Sequence, residues 1–204
     1  MHHPRFRLLV IGCAALAGSA AAWSATNHET AAPTEAIWRI QEFDFHYRAA
    51  QGRYHSCSSL HEKISGIMES IGAGSVIVEI ACRPDTLVDR VDARVATAMP
   101  VRATSASVAE ATTFATEQQL VARLRQIQLP TPATIERFPA EWREVAVTTV
   151  HGVRLGPEDC DLLHDLHEQI LPHLPSVRVV RKKFSCAIPA RPVLVVETLM
   201  RRAA

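Results

Sequence analysis

The fold is decided by residues 57–82, which read CSSLHEKISGIMESIGAGSVIVEIAC. The stretch begins and ends on a cysteine, and Ser59 and Glu62 have the spacing of a helix capping box. Gly72 is suited to the end of a helix, and β-branched residues dominate the segment after it. We therefore predict a helix over residues 57–71 and a strand over residues 75–82. The predicted apolar stripe of this helix consists of Leu60, Ile64, Ile67, Met68 and Ile71.

A second stretch, residues 160–186, repeats this pattern. Its two cysteines are 26 positions apart, against 25 in the first stretch, and the two stretches start 103 residues apart. Leu163-His164-Asp165 stands at the offset of Leu60-His61-Glu62. Trp38-Arg39 and Trp142-Arg143 precede the opening cysteines by 19 and 18 residues. These matches in order predict a tandem duplication.

Each copy is predicted to place one strand before its helix and two strands after it. Alternating or β-rich segments predict the strands at 38–47, 75–82, 90–101, 142–150, 177–186 and 192–200. The predicted fold class is therefore α+β, with tandem βαββ repeats joined by a helix. Its antiparallel sheet should carry the helices on one face. Residues 38–150 alone spell βαββαβ, the ferredoxin-like order.

The first predicted strand is unusual because it is rich in aromatic residues. Its apolar side chains are Trp38 and Ile40, followed by Phe43, Phe45 and Tyr47. Since side chains alternate between the faces of a strand, this spacing predicts a change of phase between residues 40 and 43. Such a strand is usually part of a core, and only a minority present a recognition surface.

The chain divides into five predicted segments. These are a signal peptide (1–22), a flexible N-terminal segment (23–36), a first βαββ unit (37–102), a linker (103–141) and a second βαββ unit (142–204). Within the linker, residues 103–113 are rich in Ala, Ser and Thr and are predicted to form a loop. A helix is predicted near residues 116–128, with a capping box at Thr116–Gln119 and an apolar stripe of Leu120, Val121, Leu124 and Ile127.

Residues 1–22 have the order of a secretory signal peptide. Arg5 and Arg7 precede an uncharged segment that ends in small residues, and cleavage after Ala22 or Ser24 fits best. An uncleaved anchor and a lipoprotein signal at Cys13 are the alternatives, although the apolar segment before Cys13 is short for the latter. We expect a periplasmic or secreted protein with no membrane span after signal cleavage.

Charge argues against a nucleic-acid partner. Without residues 1–22 the chain carries 20 basic and 21 acidic side chains, so no strongly basic surface is expected. The one tight basic run, Arg181-Lys182-Lys183, is interpreted as a solvated strand end.

The four cysteines that follow the signal, Cys57, Cys82, Cys160 and Cys186, predict two disulfides in an exported protein. A helix over residues 57–71 rises about 21 Å, and the strand that follows returns about 23–26 Å. The strand therefore carries Cys82 back to Cys57, and Cys186 back to Cys160 in the second copy. Each bridge closes a loop of about 25 residues and should contribute about 3 kcal/mol.

No catalytic constellation is identified. The sequence lacks a Cys-x-x-Cys redox motif and a Gly-x-Ser-x-Gly nucleophile elbow. Carboxylates cluster around a predicted hairpin without an evident partner for acid–base chemistry: Glu79, Asp85, Asp89 and Asp92. We therefore predict no catalytic residues and no cofactor.

Three histidines are weak candidates for a metal site. His164 and His167 are three residues apart on one predicted helix, and His173 follows, but no further ligand pair completes a zinc pattern. His167 replaces an apolar residue of the helix stripe and is predicted to keep the tip of its ring in water. No metal site is predicted on this basis.

The motif set resembles small exported proteins of Gram-negative bacteria that carry duplicated βαββ units and two disulfides. The resemblance covers most of the chain after residue 22 and implies no particular activity. We therefore expect a non-enzymatic exported module that binds or assembles with a protein or envelope partner. The alternatives are a periplasmic hydrolase whose residues come from both copies, and a histidine-based metal-binding protein.

Overall fold

The structure is a computed structural model that describes residues 33–50, 52–147, 149–150, 153–186 and 191–203. The predicted signal peptide and residues 23–32 of the predicted flexible segment lie outside the described residues. Residues 34–36, which were also assigned to that segment, belong to the first strand.

The described residues form ten strands and four α-helices. The strands are β1 Thr34–Arg48, β2 His55–Ser56, β3 Ser75–Ile80, β4 Leu87–Val88, β5 Arg90–Arg102, β6 Arg137–Ala146, β7 Thr149–Val150, β8 Val153–Arg154, β9 Val177–Lys183 and β10 Val193–Arg201. The α-helices are α1 Cys57–Ser70, α2 Ser105–Ala111, α3 Thr116–Leu124 and α4 Cys160–Gln169. Single 3-10 turns lie at Pro157–Asp159 and Leu171–His173.

Six of these strands form one antiparallel sheet in the order β3-β5-β1-β6-β10-β9. The strands from residues 34–102 occupy one half of it, and those from residues 137–201 occupy the other. Strands β1 and β6 meet at the centre, where they pair from Thr34↔Ala140 to Ile37↔Arg137. The protein therefore has the mixed helix-and-strand class and the antiparallel sheet that the sequence predicts.

Strand β1 uses both faces of the sheet without any change of phase. Its pairing with β5 runs in unbroken register from Ala36↔Arg102 to Arg48↔Arg90. The odd-numbered aromatics therefore lie on one face, whereas Trp38 and Ile40 lie on the other. The predicted phase change is wrong. We call the side that carries Phe45 and Tyr47 the helix face, and the side that carries Trp38, Ile40 and Ala98 the open face.

The main core lies on the helix face, where α1 and α4 pack against the sheet. Phe45 and Tyr47 of β1 are fully buried in it. Helix α1 contributes the stripe that its spacing predicts. Side chains of both helices are almost entirely buried: Leu60, Ile64, Ile67 and Met68 from α1, and Leu162, Leu163 and Leu166 from α4. Burial of one such side chain contributes about 1.5–3 kcal/mol.

The N-cap of helix α1 lies three residues before the predicted cap. Ser56 is the N-cap, and its hydroxyl accepts a hydrogen bond from the Ser59 N–H at 3.1 Å, so the prediction of Ser59 as the cap is wrong. The C-terminal stop is the one predicted. Gly72 has φ +102°, and the Ala73 N–H donates back to the Met68 carbonyl at 3.1 Å. This is a Schellman ending, which favours glycine at that position.

Helix α4 covers the part of β1 that β6 leaves unpaired. Three of its side chains, spaced four residues apart, accept hydrogen bonds from three backbone N–H groups along the strand edge. The pairs are Asp161 with Ala50 at 2.9 Å, Asp165 with Arg48 at 3.0 Å, and Gln169 with His46 at 2.8 Å. The helix thereby satisfies a strand edge that would otherwise lack partners.

Two predictions for the linker need correction. Residues 103–113 contain helix α2, capped by Thr104 and Ser107, rather than only a loop. Its one buried residue, Val108, packs with Ile37 and Val101, and this contact could not be read from the Ala- and Ser-rich composition. Strand β6 begins at Arg137, five residues before the predicted strand at 142, because it pairs there with β1.

The structure contains two disulfides, Cys57–Cys82 and Cys160–Cys186, with Cα–Cα distances of 6.2 and 5.3 Å. These are the pairs expected from the reach of each helix and the strand after it. Each bridge joins the first residue of a helix to the segment just past a strand.

Candidate functional site

The open face forms the floor of a groove of about 1040 Å³. The segments that flank α3 supply its opposite wall, from residues 113–118 and 129–136. The apolar lining consists of Trp38, Ile40, Ala98, Phe114, Leu129, Pro130 and Ile135. A preformed concave surface lined by apolar and aromatic side chains is the usual form of a binding site.

Trp38 is the largest side chain of this groove. Strand alternation places it on the open face, where its ring lies 4.6 Å from that of Phe138 in a tilted arrangement. On its other side the ring packs against Gly74. A Cβ at residue 74 would lie 2.6 Å from the Trp38 ring, so only glycine permits this contact.

Charged side chains line the rim of the groove. Arg39 pairs with Glu110 of α2, and Arg201 pairs with Glu136 at 3.1 Å. The Arg201 guanidinium also lies over the Phe138 ring, 5.1 Å from its centroid. These pairs are partly exposed and contribute little stability. They surround an apolar floor with polar groups, the arrangement found in protein recognition sites.

Helix α3 lies between the segments that form the groove wall. It begins at Thr116 as predicted, but its N-cap is Ala115, whose N–H donates to the Gln118 side chain at 3.0 Å. Only Ala122 of this helix is buried. The predicted apolar stripe therefore exists, but it faces solvent, with relative exposures of 56% for Leu120, 41% for Val121, 76% for Leu124 and 57% for Ile127.

A cluster of buried polar groups lies on the helix face. Asp159 is fully buried, and its Oδ1 lies 2.5 Å from Lys63 Nζ and 3.8 Å from His55 Nε2. Its Oδ2 accepts the Gly156 N–H at 2.8 Å. Burial and the nearby Lys63 ammonium lower the pKa of His55, so the imidazole is neutral at pH 7. The negative charge of Asp159 is therefore balanced by the positive charge of Lys63.

A second ion pair extends this cluster. Arg53 pairs with Asp161 at 3.0 Å, donates to the Cys186 carbonyl, and is largely buried. The Tyr47 hydroxyl is buried and has no hydrogen-bond partner among the described residues. Burial, assisted by the Asp161 and Asp159 charges, raises the pKa of Tyr47 well above its ordinary value, so the phenol stays protonated. The cluster ties residues 47–63 to residues 156–161 and to the second disulfide.

A cavity of about 900 Å³ lies beside the first disulfide and contains a histidine–aspartate pair. His46 Nδ1 lies 2.8 Å from Asp92 Oδ1, and both side chains are exposed. Asp92 is one of the carboxylates for which the sequence suggested no partner. No serine, threonine or cysteine side chain is hydrogen-bonded to the His46 ring in the described part of the chain. The pair therefore lacks the nucleophile that a hydrolytic triad requires.

The three candidate histidines of the second copy do not form one group. His167 is buried, with Nδ1 2.8 Å from Glu168 and Nε2 3.2 Å from the Lys182 ammonium, so the prediction of a water-exposed ring tip is wrong. His164 is half exposed beside Asp165, at 3.6 Å. His173 instead stacks on Phe43 of β1. In the described ranges no group of three or more His, Cys, Asp or Glu side chains is arranged to hold a metal ion.

Sequence reasoning missed both the buried charges and the groove. Arg53, Lys63, Asp159 and Asp161 carried no recognisable motif. One signal was available, because Lys63 is the single lysine before residue 182 and lies on a helix that packs into the core. Trp38 was singled out only as a member of an aromatic strand.

No family model, no curated protein and no solved structure matches this chain. The resemblance to exported proteins therefore depends on the motif set alone, and the groove must be interpreted from its own geometry. No helix in the described ranges is both long enough and apolar enough to cross a bilayer.

Proposed function

We propose that this protein is an exported, non-enzymatic binding module that holds an extended apolar segment of a partner protein in the groove on the open face. The observation that carries the proposal is the exposed apolar floor. Ile40 is 75% exposed although it lies beside Trp38 in the middle of a sheet strand. A free apolar side chain at the centre of a preformed groove is a feature of recognition surfaces.

The chemistry of the groove suits a peptide segment. Trp38 offers a large rigid contact area, and tryptophan is among the residues that most often dominate binding energy. Burying an exposed side chain such as Ile40 against a partner contributes about 1.5–3 kcal/mol. The charged rim of Arg39, Glu110 and Arg201 can pair with the polar backbone and side chains at the ends of the segment. Because the groove is already formed, little ordering of the protein opposes binding.

Export and tandem duplication are part of the same proposal. Two disulfides are typical of oxidising compartments outside the cytoplasm. The strand order β3-β5-β1-β6-β10-β9 supports a duplication, because exchanging the two βαββ units leaves it unchanged. The part β3-β5-β1-β6 supports the ferredoxin-like arrangement for residues 38–150. In a duplicated protein of this kind, we propose that the groove is formed mainly by the first unit and the linker, with Arg201 of the second unit at its rim.

The hydrolase alternative has less support. The exposed His46–Asp92 pair could orient an imidazole for general-base chemistry, but its ring is hydrogen-bonded to no nucleophile among the described residues. The buried His55 faces a lysine and an aspartate that balance each other, as a structural ion pair does. We therefore place binding ahead of catalysis.

The test is selection of peptides from a random twelve-residue display library on the disulfide-bonded protein. We expect the selected peptides to be enriched in apolar residues. Ile40→Asp should weaken their binding at least tenfold, about 1.4 kcal/mol, because it places a charge on the apolar floor. Leu87→Asp is the matched control, since Leu87 is 67% exposed and does not line the groove. Equal binding by Ile40→Asp and the original protein would contradict the proposal.

A further inference from the structure

We propose that helix α3 is a self-association element that pairs antiparallel with α3 of a second copy of this chain. The proposal is independent of the groove function, because the stripe residues Leu120, Val121 and Leu124 do not line that groove.

The apolar stripe of α3 needs a cover. At 100° per residue, Leu120 and Leu124 lie about 40° apart around the helix, and Val121 extends the stripe to about 100° from Leu120. Ile127 follows just past the end of α3, after Gln126 at φ 55°. Each of the four side chains is between 41% and 76% exposed. A contiguous helical stripe of this kind marks an interaction surface, whereas isolated exposed apolar residues are ordinary. In helix-in-groove and helix-pair recognition, anchors at this spacing provide the contact.

The charges of α3 identify its partner as another α3. Glu117 lies in the first turn of the helix, and the cations Arg123 and Arg125 lie at its end. When Leu120 of one copy packs on Leu124 of the other in an antiparallel pair, Glu117 lies within about 3 Å along the axis of the second Arg125. A parallel pair would instead place Glu117 beside Glu117. None of these three charges forms an ion pair with another described residue.

The position of Glu117 also favours a second copy over a lipid surface. It projects about 60° around the helix from Leu120, which places it inside the apolar stripe. An anionic membrane would repel this carboxylate, whereas an antiparallel copy supplies an arginine to it. The dipoles of two antiparallel helices also oppose each other favourably.

The interface is expected to be weak. Four apolar side chains from each copy form a surface smaller than the roughly 800 Å² per partner of a stable complex. A two-fold contact of this size corresponds to a transient, concentration-dependent dimer with self-complementary halves.

The test is sedimentation equilibrium of the disulfide-bonded protein from about 5 to about 200 µM, a range that covers transient association. We expect a reversible dimer that Leu124→Asp converts to a monomer throughout. Leu87→Asp, a substitution at a similarly exposed leucine away from α3, should leave dimerisation unchanged.

Charge exchange provides the decisive comparison. Glu117→Arg and Arg125→Glu should each weaken dimerisation at least threefold. The double variant should recover to within twofold of the original protein, because it restores a pair of opposite charges.

A monomer at every concentration, or a double variant that dimerises no better than the single variants, would overturn the proposal. Binding of the monomer to vesicles of anionic phospholipid would overturn it as well, and would assign the stripe to a membrane surface. The two proposals are tested separately, because Ile40→Asp should weaken peptide binding while the protein still dimerises.

Discussion

His55 is a histidine held away from water beside a fixed positive charge. The residue is 6% exposed, its ring meets that of Tyr47 at 5.7 Å between centroids, and Nε2 lies 3.4 Å from the Glu158 carbonyl oxygen. The charged groups that act on it are Lys63, Asp159 and Glu158. Burial penalises the imidazolium, and Lys63 adds to that penalty, so the pKa of His55 lies below its usual value.

This environment predicts that the protein loses stability in mild acid. When the folded-state pKa of a histidine lies below its unfolded value of about 6.5, the unfolded chain binds more protons as the pH falls. The free energy of unfolding should therefore decrease below about pH 6.5 and level off once the folded His55 is protonated. Urea unfolding at intervals between pH 8 and pH 5 measures the slope.

The matched variant is His55→Phe, which keeps an aromatic ring against Tyr47 and cannot be protonated. It should reduce the slope of stability against pH over this window, while the contribution of other groups remains. If both proteins show the same slope, His55 is not the group that senses the pH.

At the scale of single residues, the sequence predicted the disulfides but not the buried ion pairs. The spacing of Cys57, Cys82, Cys160 and Cys186 was informative because a disulfide requires only that two backbones meet. The burial of Asp159 depends instead on Lys63, which is 96 positions away and meets it only in the folded chain. No local pattern marks such a pair.

Helix α4 acts as an additional partner for the edge of β1. Its Asp161 is the most heavily used of the three acceptors, because the same carboxylate oxygen receives the Ala50 N–H at 2.9 Å and the Arg53 guanidinium at 3.0 Å. Both Asp161 and Arg53 are about 15% exposed. The carboxylate therefore satisfies a strand edge and a largely buried cation at once.

We expect Asp161→Ala to destabilise the protein by about 2–4 kcal/mol, since it leaves the Arg53 charge and a backbone donor without their partner. Asp161→Asn should cost less, because its amide oxygen can still accept the Ala50 N–H. Urea unfolding measures both losses, and hydrogen exchange of the Ala50 amide reports the edge directly. Faster exchange at Ala50 in the alanine variant only is the expected pattern. A loss as large in the asparagine variant would show that charge pairing alone matters.

The elements themselves were predictable where burial follows a period. The stripe of α1 was identified from its spacing, whereas β1 was misread because Arg39 and Gln41 interrupt its apolar alternation. Arg39 pairs with Glu110 of α2, and Gln41 donates to the His173 carbonyl at 3.2 Å. Partners so distant in sequence leave no trace in the local pattern. For α3 the spacing was right, but periodicity could not reveal that its apolar side faces solvent.

Across the whole molecule, the two sequence halves are joined by ion pairs of different kinds. Lys63 and Asp159 connect α1 to the 3-10 turn before α4 inside the core, with side-chain exposures of 11% and 0%. Arg137 and Glu35 connect β6 to β1 at the surface, 2.8 Å apart and roughly half exposed. Both link residues 33–102 to residues 137–203. The two ion pairs differ mainly in their exposure to water. Removing each in turn therefore compares how much a buried and an exposed pair contribute to the stability of the protein.

We expect Lys63→Met to cost about 3–5 kcal/mol, because it leaves the buried Asp159 carboxylate without its counter-charge. Arg137→Met should cost less than about 1 kcal/mol, since water screens an exposed pair. The double variant Lys63→Met with Asp159→Asn should recover much of the loss, because it removes the stranded charge while the amide oxygen still accepts the Gly156 N–H. Urea unfolding at pH 7, followed by both far-UV circular dichroism and tryptophan fluorescence, measures these differences and shows whether the halves still unfold together. Equal costs for Lys63→Met and Arg137→Met would mean that the sheet pairing between β1 and β6, rather than the buried ion pair, dominates the union of the halves.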